Sequence, residues 1–290
     1  MFFVTQLIGL FVISAHAPET RQVTTPEGNI TNVTSYNLPY GLDPPPETRP
    51  RSVKELVVSF FIIFAVAILL MVFLMRFKAD SLIRIWFFVV VTLALGVVIS
   101  SVLLKLSLAN YSVDLSFFGK AKLSSLISLL LALPLSYYKV YKRNLYVHNF
   151  TELAVYPGIA AIFVALVLSW TNSPVLAVSI ILVIISIYDM YAVWHSGFMQ
   201  KMAHYQIKQL KIFTGFFVPY LGKKQKDAIK MKTSKSSKSS KSEVDKKIKV
   251  NVAILGGGDI VFPLILAGVL LITAGLAQAI LISLGATVAL

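Results

Sequence analysis

The sequence predicts an all-α membrane protein, a polytopic helical bundle, and three observations carry that prediction. Hydrophobic residues make up 57% of the 290 positions, with a mean hydropathy of +0.77. Charged residues account for 14%, where a soluble domain carries about 25%. The apolar residues also fall in long blocks, and a bilayer core about 30 Å thick is crossed by roughly 20 of them in a helix.

The blocks lie near 2–15, 56–76, 84–107, 122–138, 153–171, 174–194 and 250–274, with another from Ala277 to Leu290. They predict about seven complete transmembrane helices and a truncated eighth. Four regions follow. Residues 1–55 hold the first hydrophobic segment and an extracytoplasmic loop. Residues 56–194 hold helices two to six, residues 195–249 a basic loop, and residues 250–290 the seventh helix and the start of the eighth. Ala15-His16-Ala17 resembles a signal-peptidase site, but no positive segment precedes the first block, which reads as a retained span. Asn29-Ile30-Thr31 and Asn32-Val33-Thr34 are glycosylation sequons in the segment that follows it.

Charge sets the orientation. Fourteen lysines between 201 and 250 face three acids, so this stretch carries eleven of the fourteen net positive charges. That is the signature of a cytoplasmic loop, with anionic lipid headgroups as its natural contact, and not of a nucleic-acid-binding domain. Arg76, Lys78 and Arg84 fall in one other connection, and Lys139, Lys142 and Arg143 in another, both on the same side. The expectation is a multi-pass protein of the cell membrane with its lysine-rich loop in the cytoplasm. Within that loop, residues 231–247 are low-complexity Lys/Ser and cannot bury apolar surface, so disorder is expected there.

With no cysteine in the chain, disulfides, thiolate catalysis and thiolate metal sites are excluded. His16, His148, His195 and His204 are scattered without metal-binding spacing, so no metal centre or cofactor is expected.

Within the hydrophobic centres of the blocks, the ionisable residues are Asp189 and Asp259. A charge at the bilayer centre costs at least about 2.5–3.5 kcal/mol, and such residues mark function. Two acids on different helices, with no intramembrane Lys or Arg assigned to either, are best tolerated if the carboxyls meet and share a proton. One can then take a proton from water while the other protonates a carbonyl oxygen. Asp189 follows Tyr188, which is expected to line the site. Asp259 follows Gly256-Gly257-Gly258, and Pro263 comes one turn later. A glycine run weakens a helix by about 1 kcal/mol per residue, so it needs a reason, such as a helix start or room for another backbone.

Tyr188-Asp189 and Gly256-Gly257-Gly258-Asp259, with Pro263 following, match the YD and GxGD motifs. The chain resembles an archaeal-type member of the presenilin and signal-peptide-peptidase family, well over 160–290 and by topology before that. The resemblance implies nine spans, catalytic acids on the sixth and seventh, and hydrolysis of transmembrane-helix peptide substrates without metal or cofactor. It also implies a Pro-Ala-Leu motif on the ninth span, which this sequence lacks. The chain accordingly reads as a fragment, which bears on whether these residues suffice for activity. The oligomeric state is not legible in the sequence.

A substrate helix must unwind to be cut, and unpaired backbone in lipid is costly. Residues 247–252 alternate polar and apolar, and are the candidate strand for pairing with it. The apolar stretch 210–219 is a second candidate for the substrate entrance. Two rival readings remain at this stage. An ion-coupled transporter would also carry intramembrane carboxylates, but one glycine-broken helix without an inverted repeat argues against it. A prepilin-type peptidase shares GxGD but places its first acid by a cytoplasmic loop.

Overall fold

A computed structural model describes residues 1–24, 30–44, 51–106, 112–115, 119–142, 144–192, 194, 215–220 and 251–290. The Lys/Ser-rich segment, with its expected disorder and lipid contacts, lies outside the described residues, as does the sequon at Asn29.

The described chain runs α1 (Phe2–Ala15), β1 (Glu19–Thr24), β2 (Ile30–Ser35), a 3-10 turn (Pro39–Gly41), α2 (Val53–Arg76), α3 (Asp80–Lys105), β3 (Ser112–Leu115) and β4 (Gly119–Lys122). It continues with α4 (Leu123–Tyr141), α5 (Leu145–Trp170), α6 (Pro174–Tyr191), β5 (Gly215–Tyr220), β6 (Asn251–Gly256), α7 (Gly257–Thr273) and α8 (Leu276–Ala289). Helices α2 to α6 are each long and apolar enough to cross a membrane, and α1, α7 and α8 are shorter apolar helices. The strands form three two-stranded antiparallel ribbons.

Local signals explain several boundaries. Ser52 accepts from the Glu55 backbone N–H while Glu55 reaches back to Ser52, a reciprocal cap that opens α2. Pro174 occupies the first turn of α6, where its missing N–H has no helical partner to lose. Asn144 caps α5 by accepting from the Tyr146 N–H at 3.0 Å.

Helix α5 is the centre of the bundle. It touches α1, α3, α4, α6 and α7, and its buried residues include Ala160, Ala161, Val164 and Ala165. Lipid offers no hydrophobic drive between helices, so close packing of small residues takes its place. Gly158 shows how close: a Cβ there would collide with the Ala94 carbonyl of α3. Gly268 of α7 is similarly wedged between Ile13 and Val164. By contrast α2 buries only Leu56, and eight of its large apolar side chains are exposed, as suits a lipid-facing helix at the periphery.

The connections sort to opposite ends. Lys122 donates to Asn37 Oδ1 at 3.0 Å, and Tyr40 bonds Ser128 of α4 at 2.6 Å, which joins the α1–α2 connection to the end of the α3–α4 connection and the start of α4. The ribbon between α6 and α7 instead packs on the start of α5. This is the arrangement that successive crossings produce.

Two expectations are corrected here. The hydropathy blocks place Lys139 in a basic loop and start the fifth span at 153. In the structure α4 runs on to Tyr141, α5 already begins at Leu145, and Lys139 is buried between them. A charge ends a hydropathy block whether or not a partner neutralises it, so the pattern alone shortened both helices. The seventh block, in turn, divides into β6 and a helix that starts at Gly257.

Gly158→Leu should force α3 and α5 apart and lower stability by about 1–3 kcal/mol. Thermal unfolding in detergent checks this against Gly285→Leu, where an added Cβ meets open space.

Candidate active site

Helices α6 and α7 pack against each other, and the two acids sit at the same end of that pair. Asp189 lies in the last turn of α6 and is half-buried, and Asp259 lies in the first turn of α7 and is exposed. They are close enough for Asp259 to act electrostatically on Asp189.

The glycine run explains how α7 presents its acid. The helix starts inside the run, with Gly256 as an extended cap residue at φ −65° and ψ 144°. Asp259 is then the third helical residue, where unpaired N–H groups and the helix dipole favour a carboxylate. Its Oδ2 turns back toward Gly256, 3.1 Å from where a Cβ would stand. Gly257 lies flat on Tyr156 of α5, so that a Cβ would come within 2.8 Å of Cε1 and 3.0 Å of the hydroxyl. Gly258 is exposed, and a Cβ there would make only ordinary contact with Phe262. Thus Gly257 is required by packing, while Gly258 is exposed and has room for a Cβ against Phe262.

Pro263 adds a second irregularity. Four residues after Asp259, it has no N–H to give the Asp259 carbonyl. One residue on, buried Gln6 of α1 donates to the Ile260 carbonyl at 3.0 Å and ties α1 to this turn.

Tyr188 is half-buried and meets Phe64 of α2 edge-on, with ring centroids 5.9 Å apart. Phe64 and Phe262 both line an apolar cavity of about 290 Å³ between α2, α5, α6 and α7. Phe262 lies one turn beyond Asp259, so the cavity reaches toward the acid pair.

A second polar cluster lies beside the site. Lys139 of α4 pairs with Glu152 of α5 at 2.7 Å, and each side chain is 1% exposed. His148 lies 3.5 Å from the same Glu152 oxygen, and Tyr156 follows one turn further along α5. Sequence reasoning missed all four residues. The available signal was the spacing His148, Glu152, Tyr156, which puts them on one face of a helix at successive turns. The His148 ring nitrogen bonds the Gly215 carbonyl at 2.9 Å, and Asn149 makes two bonds to the Phe217 backbone. The candidate strand 247–252 and the apolar stretch 210–219 are here in part. Residues 215–220 pair with 251–256, while 210–214 and 247–250 lie outside the described residues.

A bundle of apolar helices, five of them long enough to cross a membrane, is that of a multi-pass membrane protein, and two acids stand at one end of its packed α6–α7 pair. The family model described as signal-peptide peptidase, presenilin aspartyl protease matches residues 42–289. The chain belongs to that family, and membership implies intramembrane aspartyl protease activity. No curated protein matches the chain, and neither does any solved structure.

Among the described residues, no group of three or more His, Asp or Glu side chains is arranged to hold a metal ion. Lys139→Met should strand Glu152 as a buried charge and cost about 3–5 kcal/mol. Lys139→Met combined with Glu152→Gln should recover most of that loss, as read by thermal unfolding in detergent.

Proposed function

We propose that Asp189 and Asp259 are the catalytic dyad of an aspartic endopeptidase that cuts peptide bonds within transmembrane segments. The observation that carries the reading is the placement of two acids from adjacent helices at one end of the bundle, within electrostatic reach of each other. Two carboxyls in such a pair hold one proton between them. The ionised one takes a proton from a water molecule, whose oxygen attacks the scissile carbonyl carbon. The protonated one gives its proton to the carbonyl oxygen, and a tetrahedral diol forms. When the diol collapses, the C–N bond breaks and the nitrogen leaves with a proton, which yields an acid and an amine.

Two features of the fold support a transmembrane substrate. The cavity between α2, α5, α6 and α7, which comes within one helical turn of Asp259 at Phe262, is lined by apolar side chains such as Leu56, Phe60, Phe163 and Ile181, which suits apolar side chains arriving from lipid. The loosely packed α2 forms one wall, so a shift of α2 would open the site sideways to the bilayer. The ribbon addresses the unwinding problem. Strand β6 runs straight into Gly256 and Asp259, and the outer edge of β5 is taken up by α5. An unwound substrate would therefore add as a strand on the β6 side, pairing backbone groups that lipid leaves unsatisfied. Tyr188, Gly258 and Pro263 would line this path. The acids and the lysine-rich loop then face the cytoplasm, with that loop on anionic headgroups.

The test is cleavage of a single-span reporter peptide in liposomes by the wild-type chain, Asp189→Ala and Asp259→Ala. Loss of product by at least about a thousandfold in both variants is expected for removal of a catalytic acid. Retained cleavage in either variant, or ion flux without any cleavage, would sink the assignment.

A further inference from the structure

We infer that His148 and Asn149 are positioning residues that fix the register of the β5–β6 ribbon and thereby set where a substrate is cut. This rests on the protease reading above.

The argument starts from the backbone of β5. Phe217 gives its N–H to Asn149 Oδ1 at 3.0 Å and receives Asn149 Nδ2 on its carbonyl at 2.9 Å. An amide side chain that both accepts and donates imitates a neighbouring strand residue. It therefore holds one strand position and no other. Two residues further on, the same edge presents Pro219, which has no N–H to offer. A slip of one residue would turn the other face of β5 inward and remove Phe216, fully buried against the Tyr156 ring at 5.7 Å.

His148 supplies a second hold one position away. The Gly215 carbonyl can only accept, so the ring nitrogen at 2.9 Å is the donor and carries the proton. Glu152 stands 3.5 Å from that nitrogen and is itself held by Lys139 at 2.7 Å. The buried ion pair thus ties α4 to α5 beneath the two residues that grip β5.

The register then passes toward the acid by two routes. Gly215 pairs with Gly256, and Phe216 with Leu255, so the position of β5 fixes β6 residue by residue. Separately, Tyr156 of the same α5 face carries Gly257 on its ring. Both routes end on the residues just before Asp259. A substrate strand laid on β6 is measured out from that fixed point, so the ribbon register decides which peptide bond reaches the dyad.

The experiment uses the full chain in liposomes with a single-span reporter, and maps cleavage positions by mass spectrometry. Asn149→Leu keeps the side-chain shape and removes both bonds. It should lower kcat on the order of 10- to 100-fold, as a displacement of about 1 Å at the reacting centre does, with KM little changed. Products should also spread to neighbouring bonds. His148→Leu should act in the same direction, and His148→Gln, whose amide can still donate to Gly215, should restore the single position. Hydrogen exchange of the amides in 215–220 and 251–256 should speed up in Asn149→Leu at unchanged melting temperature. Wild-type positions and rate in Asn149→Leu would overturn the inference. So would a loss of product that only follows a loss of folded protein, with cleavage positions unchanged. If the wild-type chain cuts no reporter, the protease reading fails. The exchange experiment then decides the anchor alone, and unchanged exchange overturns it.

Discussion

A polar group inside a bilayer must find its partner within the protein, and this constraint organises the structure. Lipid supplies no hydrogen bonds, and an isolated charge there is expensive. The chain meets the constraint in two ways at the same end of the bundle. Lys139 and Glu152 meet as an ion pair at 2.7 Å within packed helices. Asp189 and Asp259 instead sit at helix ends, where water can reach an acid and the start of α7 offers its N–H groups. The first arrangement neutralises charge and stabilises the fold. The second places two acids at one end of two packed helices.

Helix α5 links the two. Its Gly158 lets α3 approach closely, Gly257 and Gly268 bring α7 onto its Tyr156 and Val164, and its first turns carry His148, Asn149, Glu152 and Tyr156. A single rigid element therefore backs the ribbon, the glycine run and the buried ion pair. The opposite wall is different. Helix α2 buries one residue and borders the apolar cavity, so the bundle is closely packed around α5 and loosely packed at α2.

Much of this was legible in the sequence, and for a physical reason. A hydrocarbon slab imposes a length and a polarity on each crossing, so composition and block length specify the class without tertiary information. The same reasoning singles out Asp189 and Asp259, because an acid in an apolar block stands out against its surroundings. The glycine run before Asp259 marks a helix start, and the helix does begin there.

What tertiary structure decided is whatever depends on pairing. Lys139 and Glu152 each look like the polar end of a span, and only the crossing of α4 with α5 makes them a buried couple. Gly257 reads as flexibility in the sequence but is a contact surface for Tyr156 in the fold. The ribbon of 215–220 with 251–256 joins segments separated by thirty residues that lie outside the description, so no local pattern could announce it. The sequence by itself determined the membrane class and singled out the two acids as candidates, because both readings follow from the cost of transfer into lipid. The fold alone decided which groups meet, because that depends on helix crossings that no single segment encodes.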